Sequence, residues 1–137
     1  MKDKGEERKV SLVEQDKEEL KKSLVLRQTD NGQMWRIKLK LSNDPGLNWE
    51  KIFRKLVQES DLDNKKSINQ MRDFVIVDFS GPDGLERKIE ELKGLIDSAN
   101  EVYMEERKMK EQESERKRLE VQEKRLEVEN KIDEMDL

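Results

Sequence analysis

The residue types that most often carry catalysis and metal binding are scarce in this chain. Its 137 residues include no histidine and no cysteine. The common zinc-ligand sets and the Ser-His and Cys-His nucleophile pairs are therefore absent. A catalytic site would need carboxylates, lysine, serine or tyrosine alone. The composition thus predicts a protein that is not an enzyme, and we expect no cofactor and no metal.

Two short patterns resemble known sites, but each lacks what the chemistry requires. The segment 61–64, Asp-Leu-Asp-Asn, begins like a calcium loop, yet Lys66 replaces the required glycine and Arg72 replaces the bidentate glutamate. Ser114 and Lys117 match the Ser-x-x-Lys pattern of some acyl enzymes, but they lie in a highly charged stretch with no pocket. We interpret both matches as chance.

A basic stripe is the pattern closest to a binding site. Between Met34 and Leu41 the residues alternate strictly, which is typical of a half-buried strand. One face of this strand is apolar and the other is basic. Together with a basic residue of the neighbouring strand, the basic face is a predicted anion-binding face: Arg27, Arg36, Lys38 and Lys40. Such a stripe is the electrostatic footprint of nucleic-acid binding, but no aromatic residue is interleaved with it for base stacking. Lysines also protect exposed strands from edge association. With a net charge of −4, nucleic acid is a possible partner but not the favoured one.

The C-terminal part contains a seven-residue repeat, which is the period of a coiled coil. Residues 117–123, Lys-Arg-Leu-Glu-Val-Gln-Glu, are followed by residues 124–130, Lys-Arg-Leu-Glu-Val-Glu-Asn. Its apolar residues are the predicted contacts with a partner helix: Leu119, Val121, Leu126, Val128, Ile132 and Met135. They form two columns, since Leu119 and Val121 lie roughly 200° apart at about 100° per residue. Placing Val121 at a d position leaves Arg118 and Arg125 at a positions, so any coiled coil is predicted to be weak.

A solvated single helix is the alternative for this part of the chain. Residues 105–131 hold nine acidic and nine basic residues among 27. Glutamate and lysine four residues apart stabilise a helix by about 0.2 to 0.5 kcal/mol per pair. The predicted pairs are Glu106–Lys110, Glu113–Lys117, Glu120–Lys124 and Glu127–Lys131. Both alternatives stay open: a helix held by its own ion pairs, or one that binds a partner helix or a second copy.

The elements that position these residues follow from periodicity and from turn residues. Two extended runs, 22–27 and 34–41, flank Asn31-Gly32, which predicts a tight hairpin. An apolar stripe of helical spacing begins at Trp49, a buried strand covers 73–79, and a helix that begins near Leu85 meets no glycine or proline after Gly94. A short strand near Val10 and a helical turn at 16–22 are also predicted.

These elements predict an α+β fold. We expect a small three- to four-stranded, mainly antiparallel sheet with two helices on one face, the C-terminal helix being extended as a long charged arm. The strand at 73–79 is apolar on both faces, so either Val75, Val77 and Phe79 or Phe74 and Ile76 would lie on the face without helices. Candidates to cover that face are residues 10–13, a second copy and another protein. Asp78 ends this strand without an evident partner.

The predicted organisation is a disordered charged N-terminus (1–9), an α+β domain (10–104) and a helical extension (105–137). The N-terminus lacks the apolar region of a secretory signal, and no apolar run approaches the roughly 20 residues that a membrane span needs. We therefore expect a cytoplasmic protein with no membrane partner. The predicted function is a non-enzymatic protein-interaction or structural module, with protein partners or self-association. A nucleic-acid-associated protein is the alternative.

Overall fold

The computed structural model describes residues 9–29, 32–60 and 66–136. The chain divides into two compact units, Met1–Tyr103 and Met104–Leu137. Three predictions concern residues outside the described ranges: the disordered N-terminus up to residue 8, the turn position of Asn31, and the loop that begins at Asp61.

Four strands and three helices form the described elements. The strands are β1 (Val25–Thr29), β2 (Gly32–Lys40), β3 (Ile68–Met71) and β4 (Phe74–Phe79). The helices are α1 (Lys17–Lys22), α2 (Gly46–Glu59) and α3 (Pro82–Glu134). The strands make one antiparallel sheet in the order β1-β2-β4-β3. The predicted α+β class and the antiparallel sheet are therefore confirmed.

The predicted hairpin is present, with Thr29 of β1 opposite Gly32 of β2. Gly32 has a φ of +113°, a backbone conformation that other residues adopt only with strain. The hairpin was predicted at Asn31-Gly32 because a tight turn requires such positive φ angles. In β2 the alternation is also confirmed, since Ile37 and Leu39 are buried whereas Lys38 and Lys40 are exposed.

One face of the sheet carries the core. Buried side chains of β2 and β4 cluster with buried side chains of α2 and α3. Helix α2 contributes Trp49 and Phe53, whose rings stack with centroids 5.0 Å apart. Helix α3 contributes apolar residues at helical spacing: Leu92, Ile96 and Ala99. The interior therefore forms between the sheet and these two helices.

The N-terminal segment completes one edge of the sheet, and it is not the strand predicted near Val10. Strand β1 reaches only as far as Arg36 along β2. Beyond that point, backbone N–H groups of β2 donate to side chains of the preceding segment: Lys38 to Oγ of Ser23 at 3.3 Å and Lys40 to Oε1 of Gln15 at 2.8 Å. A single bridge joins Leu12 to Leu41. Side chains thus satisfy edge groups that a strand would otherwise pair.

Strand β3 was not predicted, because its four residues include Asn69 and Gln70 and give little apolar signal. It forms a tight hairpin with β4, in which Met71 pairs with Phe74. Arg72, in the connection, has a φ of +53°. The side-chain amide of Gln70 donates to the Arg72 carbonyl at 2.8 Å, which helps to hold the turn.

The last helix, α3, is 53 residues long. It begins at Pro82, a residue type suited to a helix start because it has no N–H to satisfy. No helix among the described residues is long and apolar enough to cross a membrane.

Candidate functional site

Two surfaces retain residues that could bind a partner, and the first is the outer face of the sheet, opposite the core. Residues that pair across an antiparallel sheet point to the same face. The register pairs Val25 with Arg36, Arg36 with Asp78, and Lys38 with Ile76. This places all four residues of the predicted basic stripe on the outer face: Arg27, Arg36, Lys38 and Lys40.

Arg36 does not offer a free charge on this face. Its Nε donates to Oδ1 of Asp78 at 2.8 Å, and its Nη2 donates to Oδ2 at 3.2 Å. Both side chains are partly buried, and the bond to Asp78 raises the pKa of Arg36. The sequence offered no partner for Asp78, because the two residues are far apart along the chain. Three cations of the stripe remain for an external anion.

An aromatic residue does lie on the basic face, contrary to the sequence-based expectation. Phe74 pairs with Lys40 across the sheet, and the Nζ of Lys38 lies 3.9 Å from the centroid of its ring. This is cation–π geometry, and the aliphatic stem of a lysine also shields apolar surface from water. Even with this contact, the Phe74 side chain is only partly buried.

The outer face also keeps exposed apolar groups. Val75 and Val77 belong to the core, so Phe74 and Ile76 are the apolar β4 residues on the outer face. The segment near Val10 does not cover them, because Val10 packs in the core on the helix side. Beside them, Val25 and Met71 are 50% and 47% exposed. The outer face therefore combines lysines with scattered apolar side chains.

The second surface is the arm, which we define as residues 104–137. From residue 108 to 136 every side chain of the arm is exposed. Between residues 119 and 135 its apolar side chains are 48% to 67% exposed. We define the apolar seam as four of them, which recur at heptad spacing along one side: Val121, Val128, Ile132 and Met135. Leu119 and Leu126 form the second column, which a single partner helix seated on the seam would not contact.

Arginines, not lysines, make the ion pairs in the described part of the arm. Arg116 binds both Glu113 and Glu120, Arg118 binds Glu115, and Nε of Arg125 lies 3.0 Å from Oε1 of Glu129. A guanidinium presents five donors in a planar fork, so it competes better for a carboxylate than an ammonium does.

The lysine pairs predicted from spacing are therefore wrong. None of the four has its charged atoms within ion-pair distance in the described part of the arm, although the charge of Lys117 helps to lower the pKa of Glu113. As a result, four lysines seven residues apart point to solvent without an ion pair in the described structure: Lys110, Lys117, Lys124 and Lys131.

These pairs change the acidity of the groups that form them. Hydrogen bonding to Arg116 lowers the pKa of Glu113, and hydrogen bonding to Arg118 lowers the pKa of Glu115. The same bonds raise the pKa of both arginines. All of these groups lie on the solvent-exposed helix, so each pair contributes little to stability by itself.

The described residues contain no group of three carboxylate, histidine or cysteine side chains that could hold a metal ion. In the domain interior, Lys88 is buried, with its Nζ 3.8 Å from Oε2 of Glu91 one turn further along α3. The attraction to Glu91, whose side chain is one-third exposed, offsets only part of the cost of removing the Lys88 charge from water. Lys88 and Glu91 form no recognisable catalytic site with other described residues.

Comparisons with protein-family models, with curated proteins and with solved structures found no match to this chain. The fold class rests on the architecture alone: an antiparallel sheet with helices on its core face, and a C-terminal helix of 53 residues. The candidate sites are accordingly argued from their own geometry.

Proposed function

We propose that this chain is a non-enzymatic protein-interaction module whose arm binds a partner helix through the apolar seam. The exposed seam is the observation that carries the proposal. Exposed apolar side chains do not stabilise a single helix in water, yet Val121 is 67% exposed and Met135 is 50% exposed. Apolar side chains that recur on one side of an exposed helix are typical of a helix-binding surface.

The second apolar column provides a matched control for this proposal. Val128→Gln with Ile132→Gln removes two apolar side chains from the seam, whereas Leu119→Gln with Leu126→Gln removes two from the other column. Glutamine has good helix propensity, so neither change should unfold the arm. We expect the seam variant to lose its partner and the control variant to keep it.

The measurement is capture of proteins by the tagged full-length chain, quantified by mass spectrometry, together with light scattering over a concentration series. Circular dichroism verifies that both variants keep the helix content of the parent chain. If the seam variant retains the same captured proteins and the same molecular mass as the parent, the seam is not the binding surface. The proposal then fails.

A second candidate function is association with nucleic acid through the outer face. The observation that favours it is the presence of Phe74 among the unpaired cations, because an aromatic side chain beside lysines can stack on a base. Arg27, Lys38 and Lys40 would contact phosphates. A salt titration of binding to generic DNA and RNA, with Lys38→Gln and Lys40→Gln as the test variant, decides this candidate. Absence of binding at low salt removes it.

A further inference from the structure

The charged residues that flank the apolar seam form two separate columns of opposite sign. With Val121, Val128 and Met135 at d and Ile132 at a, the g positions that flank the seam on one side are all lysine: Lys110, Lys117, Lys124 and Lys131. The e positions on the other side are acidic apart from one glutamine: Glu115, Gln122, Glu129 and Asp136. The seam is thus bordered by a basic column and an acidic column.

These columns distinguish the two ways in which two copies of the arm can pair. In a parallel coiled coil, each g residue faces the e residue five positions further along the other helix. Lys110 would face Glu115 and Lys124 would face Glu129, and Lys131 would face Asp136 if the helix continued past its last residue, Glu134. The fourth pair, Lys117 with Gln122, is neutral. In an antiparallel coil, g faces g and e faces e, so lysines would oppose lysines and carboxylates would oppose carboxylates.

The structure leaves the basic column available for such contacts. None of the four lysines forms an ion pair in the described part of the arm, and all four are exposed. Arg116 binds two of the glutamates that spacing assigns to these lysines, Glu113 and Glu120. A second helix carrying carboxylates at the facing positions would complement the whole column.

Two arginines lie at a positions beside residues of the apolar seam, and carboxylates of the acidic column bind both of them. Arg118 and Arg125, at a positions, bind the e-position carboxylates Glu115 and Glu129 of their own helix. Their guanidinium groups are therefore paired, which lessens repulsion across the seam. A charged residue at an a position still costs stability, but it also favours one register and one oligomeric state.

We propose that the arm pairs in parallel and in register with the arm of a second copy of this chain. The inference rests on the proposed function, because it names the partner of the same apolar seam. Self-complementarity of the g and e columns is the argument for a second copy over another protein. The arginines at a positions make the association weak, so the dimer forms as the concentration is raised.

Single cysteines report both the pairing and its orientation, since the chain has none of its own. In a parallel, in-register coil, equivalent d positions meet, so Val121→Cys and Val128→Cys, both within α3, each form a disulfide-linked dimer on mild oxidation. In an antiparallel coil at most one of these two positions, near the crossing point, could do so. Asn130→Cys, on the outer side of the helix, is the matched control and should remain monomeric.

Exchange of the flanking charges tests the pairing rule independently. Lys124→Glu with Lys131→Glu places carboxylates opposite Glu129 and Asp136, and should weaken dimerisation about tenfold or more. Glu129→Lys with Asp136→Lys should weaken it similarly. An equimolar mixture of the two variants restores opposite charges and should recover the dimer. Light scattering and sedimentation of the full chain measure each mass.

A chain that stays monomeric at high concentration, with no cross-link at either d position, overturns self-pairing. If it still captures another protein through Val128 and Ile132, the proposed function stands and only the identity of the partner is wrong. If neither association is seen, both proposals fail. Cross-linking at only one d position, with charge exchange leaving the dimer unchanged, overturns the parallel arrangement.

Discussion

Arg36 on β2 binds Asp78 on β4 through two nearly parallel hydrogen bonds, from Nε at 2.8 Å and from Nη2 at 3.2 Å. The pair joins the two central strands of the sheet on the outer face, where the remaining basic side chains carry no such partner. It stabilises the fold and removes one cation from the surface available to an anion.

Breaking this pair separates its structural role from a binding role. Asp78→Asn should lower the free energy of unfolding by about 1 kcal/mol, because a bidentate, partly buried ion pair is lost. Denaturant unfolding of this variant, of Arg36→Gln and of the double variant gives the coupling energy. If the two effects simply add, the pair does not stabilise the sheet. Should the outer face bind nucleic acid, Asp78→Asn frees Arg36 and tightens that binding.

Removal of the Asn100 side chain should be among the most costly changes in the domain. Its Oδ1 accepts from the backbone N–H of Val10 at 3.1 Å and from Nε1 of Trp49 at 3.0 Å, while its Nδ2 donates to the Val10 carbonyl at 2.7 Å. Asn100→Ala leaves these buried groups unsatisfied. We expect a loss of about 2 to 4 kcal/mol in the free energy of unfolding.

A milder variant tests whether the hydrogen bonds are the cause. Trp49→Phe removes one donor and leaves both Val10 bonds in place, so it should cost less than Asn100→Ala. Urea denaturation followed by circular dichroism compares the two. Equal costs would contradict the prediction that the two bonds to Val10 carry most of the Asn100 effect.

Two glycines should respond in opposite directions to the same substitution. Gly32 has a φ of +113°, whereas Gly94 lies within α3, and a Cβ at either position would meet no atom within 4 Å. Gly32→Ala should therefore destabilise the domain through backbone strain alone, by about 1 to 2 kcal/mol. Gly94→Ala should stabilise the helix by about 0.5 to 1 kcal/mol. Thermal unfolding of both variants checks the signs, and a stabilised Gly32→Ala would contradict the positive φ of Gly32.

Acid should weaken the ion pairs of the arm. The lowered pKa of Glu113 and that of Glu115 mean that both carboxylates bind protons less readily in the helix than in the unfolded chain. Their contribution is fully present above the usual glutamate pKa of about 4.3, and it is lost as the pH falls through the lowered values.

Ellipticity at 222 nm measures this effect when the parent chain is compared, at each pH, with a double variant that carries both Glu113→Gln and Glu115→Gln. At neutral pH and low salt the double variant should show less helix than the parent, and the difference should vanish in acid. A difference that is independent of pH would assign the effect to helix propensity and not to charge.

Sequence patterns predicted the elements in which one side is buried and the opposite side is exposed to solvent. The alternation in β2 and the stripe that begins at Trp49 each reflect one buried and one exposed side. The pattern was less informative for β4, because Lys38 from the neighbouring strand packs on Phe74 and allows apolar residues on both faces. Strand β3 escaped notice because an edge strand of four residues needs few apolar side chains.

The polar contacts were harder to predict, because they join residues that are distant in sequence or compete for one partner. Asn100 is a polar residue on the core side of a helix, and nothing nearby in sequence indicates that it binds Val10. In the arm, spacing predicted glutamate–lysine pairs that are not formed, and it did not predict that Arg116 would bind both Glu113 and Glu120.

The bond between Val10 and Asn100 also bears on how this protein folds during synthesis. The two residues are 90 positions apart, so the N-terminal segment emerges from the ribosome long before its partner exists. All four strands are made in the interval, and their hairpins can form from neighbouring residues. Val10 then closes the core only after most of the domain has been translated, which makes the first segment of the chain among the last to reach its final place.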